Sequence, residues 1–208
     1  MRGTGDVVDG AARVSHGVAS RPWGSSVASA VMGTVIHTMI DLPDTELRAA
    51  LAAALSVERW ITEVAAAAPF ESSAELLRVA HDAATPLSES EITEAIAHHP
   101  RIGEKPVGEG AAQNFSRSEQ QSVDAEDTDL AVALAAGNAA YEAQFGRVFL
   151  IRAAGRSRAE ILAELKRRMQ LSDSDELVIV GEQLRDIAVL RLEKLFVTES
   201  QTTGGISA

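Results

Sequence analysis

From Asp41 onward, apolar residues fall at three- and four-residue intervals, the spacing of helices with one buried face. The alternation that marks a half-buried strand is nearly absent. The pattern predicts helices over 43–55, 57–67, 73–84, 89–98, 117–143, 158–170 and 173–197. Four pairs, Ser72…Glu75, Ser88…Glu91, Ser116…Glu119 and Ser157…Glu160, place a hydroxyl three residues before a carboxylate at a helix start. Each member of such a pair can bond an amide that would otherwise be unsatisfied. The expected fold class is therefore all-α, a single-domain helical bundle of about seven helices with long irregular connections.

Two stretches break the helical period. Residues 100–115 are rich in Gly and polar side chains, and 146–156 contains Val148-Phe-Leu-Ile, a short run expected to be extended and buried. Long connections of this kind often form sites. Residues 1–38 and 199–208 show neither period and are read as flexible extensions of a domain over 39–198.

Composition narrows the function. A formal net charge of −11 repels a phosphate backbone, and no basic cluster offsets it, so nucleic acid is not the expected partner. The absence of cysteine excludes a disulfide framework, a thiolate nucleophile and a cysteine zinc site. Gly24 to Ile40 is interrupted by Gly, Ser, Thr and His37, which makes a poor membrane span, and neither a membrane helix nor a secretion signal is expected. There is no phosphate-cradling glycine loop, His-Glu-x-x-His zinc motif or Gly-x-Ser-x-Gly elbow, so neither cofactor nor metal is implied.

The candidate chemistry is sparse. Pro100 should end the preceding helix and leave His99 at its C-terminus, where the dipole favours an imidazolium able to deliver a proton. By position alone, a plain cap of the last carbonyls is the more ordinary role. Glu119 stands where a capping box wants it, and Ser116, Arg117, Ser118, Glu119 and Gln120 also form a helix start that offers amides and polar groups to an anion. Arg191 has apolar neighbours at 187, 188, 190, 192 and 195, so it needs a partner: a buried carboxylate or a substrate's. Arg152 and Arg156 flank Ala153-Ala-Gly155, where backbone amides and a glycine allow close approach, or merely a turn. Arg59-Trp60 is assigned to packing, the arginine stem covering the indole.

Together these segments resemble the 2-oxo-4-hydroxy-4-carboxy-5-ureidoimidazoline (OHCU) decarboxylase family, over roughly Ile40 to Phe196. The resemblance rests on Ala97-His-His-Pro-Arg-Ile-Gly-Glu104, Ser116-x-x-Glu119-Gln120, Asn138-x-x-Tyr-Glu-x-x-Phe-Gly146 and Phe149-Leu-Ile-Arg-Ala-Ala-Gly155, with Arg59-Trp60 and the run around Arg191 as weaker signals. It implies a homodimeric all-α enzyme of urate breakdown that turns OHCU into (S)-allantoin and carbon dioxide without a cofactor. It further implies that His99 is the proton donor and Pro100 a substrate contact, and that Ser116 to Gln120 form a polar wall containing the catalytic Glu119. Ile151, Arg152, Ala153, Ala154 and Gly155 then become a ligand-contacting stretch, and Arg191 a functional arginine. The ending Gly-Ile-Ser-Ala lacks a peroxisomal address, so a bacterial cytoplasmic enzyme is expected. A hydrolase of a related ureide and a non-catalytic helical interaction module are the competing readings. On the first reading, replacing His99 or Glu119 is expected to remove turnover and leave melting nearly unchanged.

Overall fold

Each predicted apolar period becomes a helix where the side chains find a common interior. The structure, a computed structural model, describes residues 39–97, 99, 101–103, 114–115, 119 and 127–196. Its helices are α1 (Asp44–Ala54), α2 (Glu58–Ala66), α3 (Ser73–Ala83), α4 (Glu89–Ile96), α5 (Thr128–Phe145), α6 (Arg158–Arg168) and α7 (Asp173–Phe196). Among the described residues the only extended pairing is a bridge between Ile40 and Phe70. No described helix is long and apolar enough to cross a membrane. The extensions expected over 1–38 and 199–208 lie outside the described residues.

Capping explains several of the boundaries. Ser88 with Glu91 and Ser157 with Glu160 form complete capping boxes. Ser72 accepts from the Glu75 amide, but Glu75 turns its own carboxylate to the amide of Glu71, so that pair is half a box. Ser116 lies outside the described residues. The helix expected over 117–143 is not continuous. Asp127 has an extended backbone (φ −73°, ψ 108°), and its carboxylate accepts from the Leu130 amide at 2.9 Å, which starts α5 afresh.

α7 is the hub, packing on α1, α3 and α4, while α5 packs on α6. The buried side chains form two clusters accordingly. The larger joins α1 to α4 with α7 around Trp60, Leu76 and Leu184; the smaller joins α5 and α6 around Leu134, Tyr141 and Leu165. The expected extended run stitches them together, because Phe149 and Ile151 enter the smaller cluster and Leu150 the larger. That alternation is the period-two geometry of extended chain.

Trp60 is fully buried and its indole N–H donates to the Ala80 carbonyl at 2.8 Å, as packing requires. Arg59 has a different role. It ties α2 to its neighbours by pairing with Glu63 and Glu91 and donating to the Ala83 carbonyl at 2.7 Å. Arg59's hydrogen bond is the main reason the Glu91 carboxyl titrates at about 2, against burial, with Ser88 assisting. The folded value lies below the ordinary 4.5, so this contribution to stability is present above pH 4.5 and disappears as pH falls toward 2. In acid unfolding followed by circular dichroism, Glu91→Gln is expected to flatten the loss of stability between those limits.

A second buried group fixes the stitching run. Arg168 and Glu176 are both fully buried, and the guanidinium Nε donates to both Glu176 oxygens at 2.9 Å. Arg168 Nη1 donates to the Leu150 carbonyl at 2.8 Å, and the Phe149 ring lies 4.8 Å beneath its charge. The Tyr141 hydroxyl donates to Glu176 as well. Burial first, and then this carboxylate, push the phenol far above its usual range, so Tyr141 serves as a neutral donor.

Candidate functional site

His99 sits just beyond α4. Its amide bonds the Ile96 carbonyl at 2.9 Å, which tightens the last turn, and its Nδ1 lies 2.9 Å from the Ala95 carbonyl. A carbonyl only accepts, so Nδ1 carries the hydrogen and Nε2 is the atom where the half-buried ring gains or loses a proton. Capping and proton delivery therefore do not compete, because they use opposite ring nitrogens. Pro100 lies outside the described residues.

The segment after His99 is anchored to α5. Arg101 makes a two-pronged contact with Glu142, Nη2 to Oε2 at 2.7 Å and Nε to Oε1 alongside. Arg101 holds the Glu142 carboxyl below its ordinary range. Asn138, 6% exposed, donates from Nδ2 to the Ile102 carbonyl at 2.9 Å. Gly103 has φ +88°, and a Cβ there would come within 3.2 Å of Leu134. Both its conformation and its closeness to α5 call for glycine.

Glu119 and Arg191 meet. The guanidinium donates from Nε to Oε1 at 2.8 Å and from Nη2 to Oε2 at 2.9 Å, with Glu119 8% and Arg191 3% exposed. Nη1 reaches the Ala54 carbonyl at 3.2 Å, at the end of α1, and Phe115 lies 5.7 Å from the charge. Of the partners open to Arg191 in the sequence, the buried carboxylate is the one it has. Glu119 turns both oxygens toward this arginine, which a simple capping box does not explain. Each carboxylate oxygen has a second lone pair with which to accept from a ligand. Ser116, Arg117, Ser118 and Gln120 lie outside the described residues.

Residues 151–155 run along the smaller cluster as irregular chain, with Ile151 and Ala153 buried and Arg152 and Ala154 half-buried. The Arg152 amide donates to Gln183 Oε1 at 2.9 Å, which ties this stretch to α7. A turn closes at Arg156, whose amide bonds the Ala153 carbonyl at 3.0 Å. Gly155 has φ +79° and open space where a Cβ would stand. The positive φ of this turn by itself favours glycine.

Ile102, Gly103, Glu119, Leu134, Ala153, Arg156, Arg158 and Ile161 line one tight cavity of about 10 Å³, room for one water. His99 lines a different and wider cavity of about 610 Å³, between α4, the end of α5 and Arg147. Among the described residues, then, Glu119, Ala153 and Arg156 come together with Arg191 behind them, and His99 is not in that cavity. The sequence reading missed Arg158. A cation in the first turn of a helix runs against the helix dipole, and that anomaly was the available signal.

The comparisons agree with this architecture. A sequence profile of the OHCU decarboxylase family matches residues 41–193. The uric acid degradation bifunctional protein TTL of Arabidopsis thaliana is 37% identical over 107 residues, 50% of this chain and 33% of that protein. The match thus takes in about a third of that relative's length. A crystal structure of an OHCU decarboxylase in the presence of (S)-allantoin superimposes with a TM-score of 0.60 at 25% identity, covering 75% of this chain and 99% of the other. A structure of (S)-allantoin synthase gives 0.53 at 17% identity, over 74% of this chain and 51% of the other, a likeness of fold.

Proposed function

The chain belongs to the OHCU decarboxylase family, and on that premise we propose that it removes the carboxylate of OHCU to give (S)-allantoin and carbon dioxide. The match over residues 41–193 is the observation that carries this reading. The substrate supplies its own electron sink. When the bond to the carboxylate breaks and carbon dioxide leaves, the electron pair forms a ring C=C and passes to the neighbouring imine nitrogen, which takes up a proton. The hydroxyl on the former carboxylate-bearing carbon then loses its proton and becomes a carbonyl, and the ureido-bearing carbon takes up a proton. Overall, one proton replaces one carbon dioxide.

In this reading Glu119, held by Arg191, accepts from the substrate hydroxyl and ureido groups and fixes the ring so that the carboxylate stands in line with the π-system. Ile151 to Gly155 and the residues from Ser116 to Gln120 complete the walls, with Pro100 beside His99. Arg156 and Arg158, which share the cavity with Glu119, are the cations proposed to face the substrate carboxylate. His99 delivers the proton to the ureido-bearing carbon from one face, from Nε2, and so sets the handedness of the product. Among the described residues, Glu119 and His99 line different cavities. A working domain over 39–198, a homodimer and a cytoplasmic setting belong to the same proposal.

The test follows freshly generated OHCU by circular dichroism with carbon dioxide measured in parallel. Stoichiometric carbon dioxide with a growing (S)-allantoin signal is expected. Loss of substrate without carbon dioxide would instead point to a ureide hydrolase, and no turnover to an interaction module.

A further inference from the structure

We infer that Glu142 and Asn138, on one face of α5, are positioning residues for His99, acting through Arg101 and Ile102; this rests on the reading of His99 as proton donor. His99 lies beyond the last turn of α4, and two residues later the chain is gripped twice. Glu142 holds the Arg101 guanidinium with both oxygens, and Asn138 holds the Ile102 carbonyl. Residues four apart on a helix share a face, so a single rigid element supplies both grips. The Ile102 side chain, buried among Leu134, Tyr141 and Ile161, adds an apolar anchor beside them.

On the other side of His99, Nδ1 is fixed to the Ala95 carbonyl. The ring is therefore held from α4, and the chain two residues after it is held from α5. The same helix reaches the opposite arm of the site, since Tyr141 donates to Glu176, which is paired with Arg168, and Arg168 holds the Leu150 carbonyl just before 151–155. α5 thus refers the proton donor and the ligand-contact stretch to one frame.

The Arg101 and Glu142 side chains are 47% and 24% exposed, a setting in which an ion pair adds little to stability. A two-pronged planar contact still fixes direction. Displacing a reacting group by about 1 Å can cost up to about a hundredfold in rate.

The experiment uses the full chain and freshly generated OHCU, with Glu142→Gln, Arg101→Gln and the double variant beside wild type. Each single variant is expected to lower kcat about tenfold with KM within about twofold, to lower the enantiomeric excess of allantoin, and to melt within a few degrees of wild type. The double variant is expected to be no worse than either single one, because both disable the same contact. A purely structural pair would shift melting and leave enantiomeric excess untouched. Wild-type kcat and wild-type enantiomeric excess in Glu142→Gln, or additive losses in the double variant, would overturn the inference. An inactive wild type would instead overturn the decarboxylase reading.

Discussion

Glu119→Gln is expected to lower kcat by about two orders of magnitude or more and, at the same time, to lower the melting temperature. The activity loss follows from the proposed role, since a neutral amide cannot stabilise the hydroxyl proton as it leaves. The stability loss follows from the structure. Arg191 is 3% exposed and directs two of its donors at this carboxylate, so removing the charge leaves a buried guanidinium poorly matched. Hydrogen bonds to charged groups contribute about 1.5–3 kcal/mol each, and breaking a buried pair outright, as in Glu119→Ala, costs about 3–5 kcal/mol. The expectation from sequence, that Glu119 can be replaced with melting nearly unchanged, did not take this buried partner into account.

A double variant separates the two effects. Replacing a buried ion pair with apolar residues of similar size is often neutral or stabilising. Glu119→Leu with Arg191→Met is therefore expected to melt near the wild-type temperature while remaining inactive. Recovery of turnover along with stability would mean that the pair is only a structural staple.

The all-α class was legible because its signals are local. Ser88 with Glu91 and Ser157 with Glu160 close as boxes since three residues of sequence determine them. Phe149 to Ile151 was legible as a buried, extended run for the same reason. What escaped was set by distant partners. Nothing near Asp127 in sequence says that its carboxylate will cap a new helix and not ride within a longer one. Arg191 and Glu119 stand 72 residues apart, so the sequence left both a buried carboxylate and a substrate open as partners. The motif around Asn138 and Glu142 was visible as a pattern, but its purpose depends on Ile102 and Arg101, on a separate segment. Gly155 was read as a glycine that allows close approach or a simple turn, and its φ of +79° shows a turn conformation that itself favours glycine.

The second large effect is expected at His99. Its Nδ1 is committed to the Ala95 carbonyl, so a substitution that keeps this bond tests the other nitrogen by itself. Asparagine offers an N–H from its side chain to that carbonyl and has no proton to give near neutral pH. His99→Asn should preserve the end of α4 and remove the donor, with a loss of about 10²–10⁴ in rate, the range for one general acid.

Rate alone does not identify a proton donor, whereas handedness does. The decisive measurement is the enantiomeric composition of allantoin formed from fresh OHCU by His99→Asn, read by circular dichroism against carbon dioxide released. With His99 as donor, the residual carbon dioxide should be accompanied by racemic allantoin, because water then protonates either face. (S)-Allantoin formed by this variant at the wild-type rate and optical purity would contradict it.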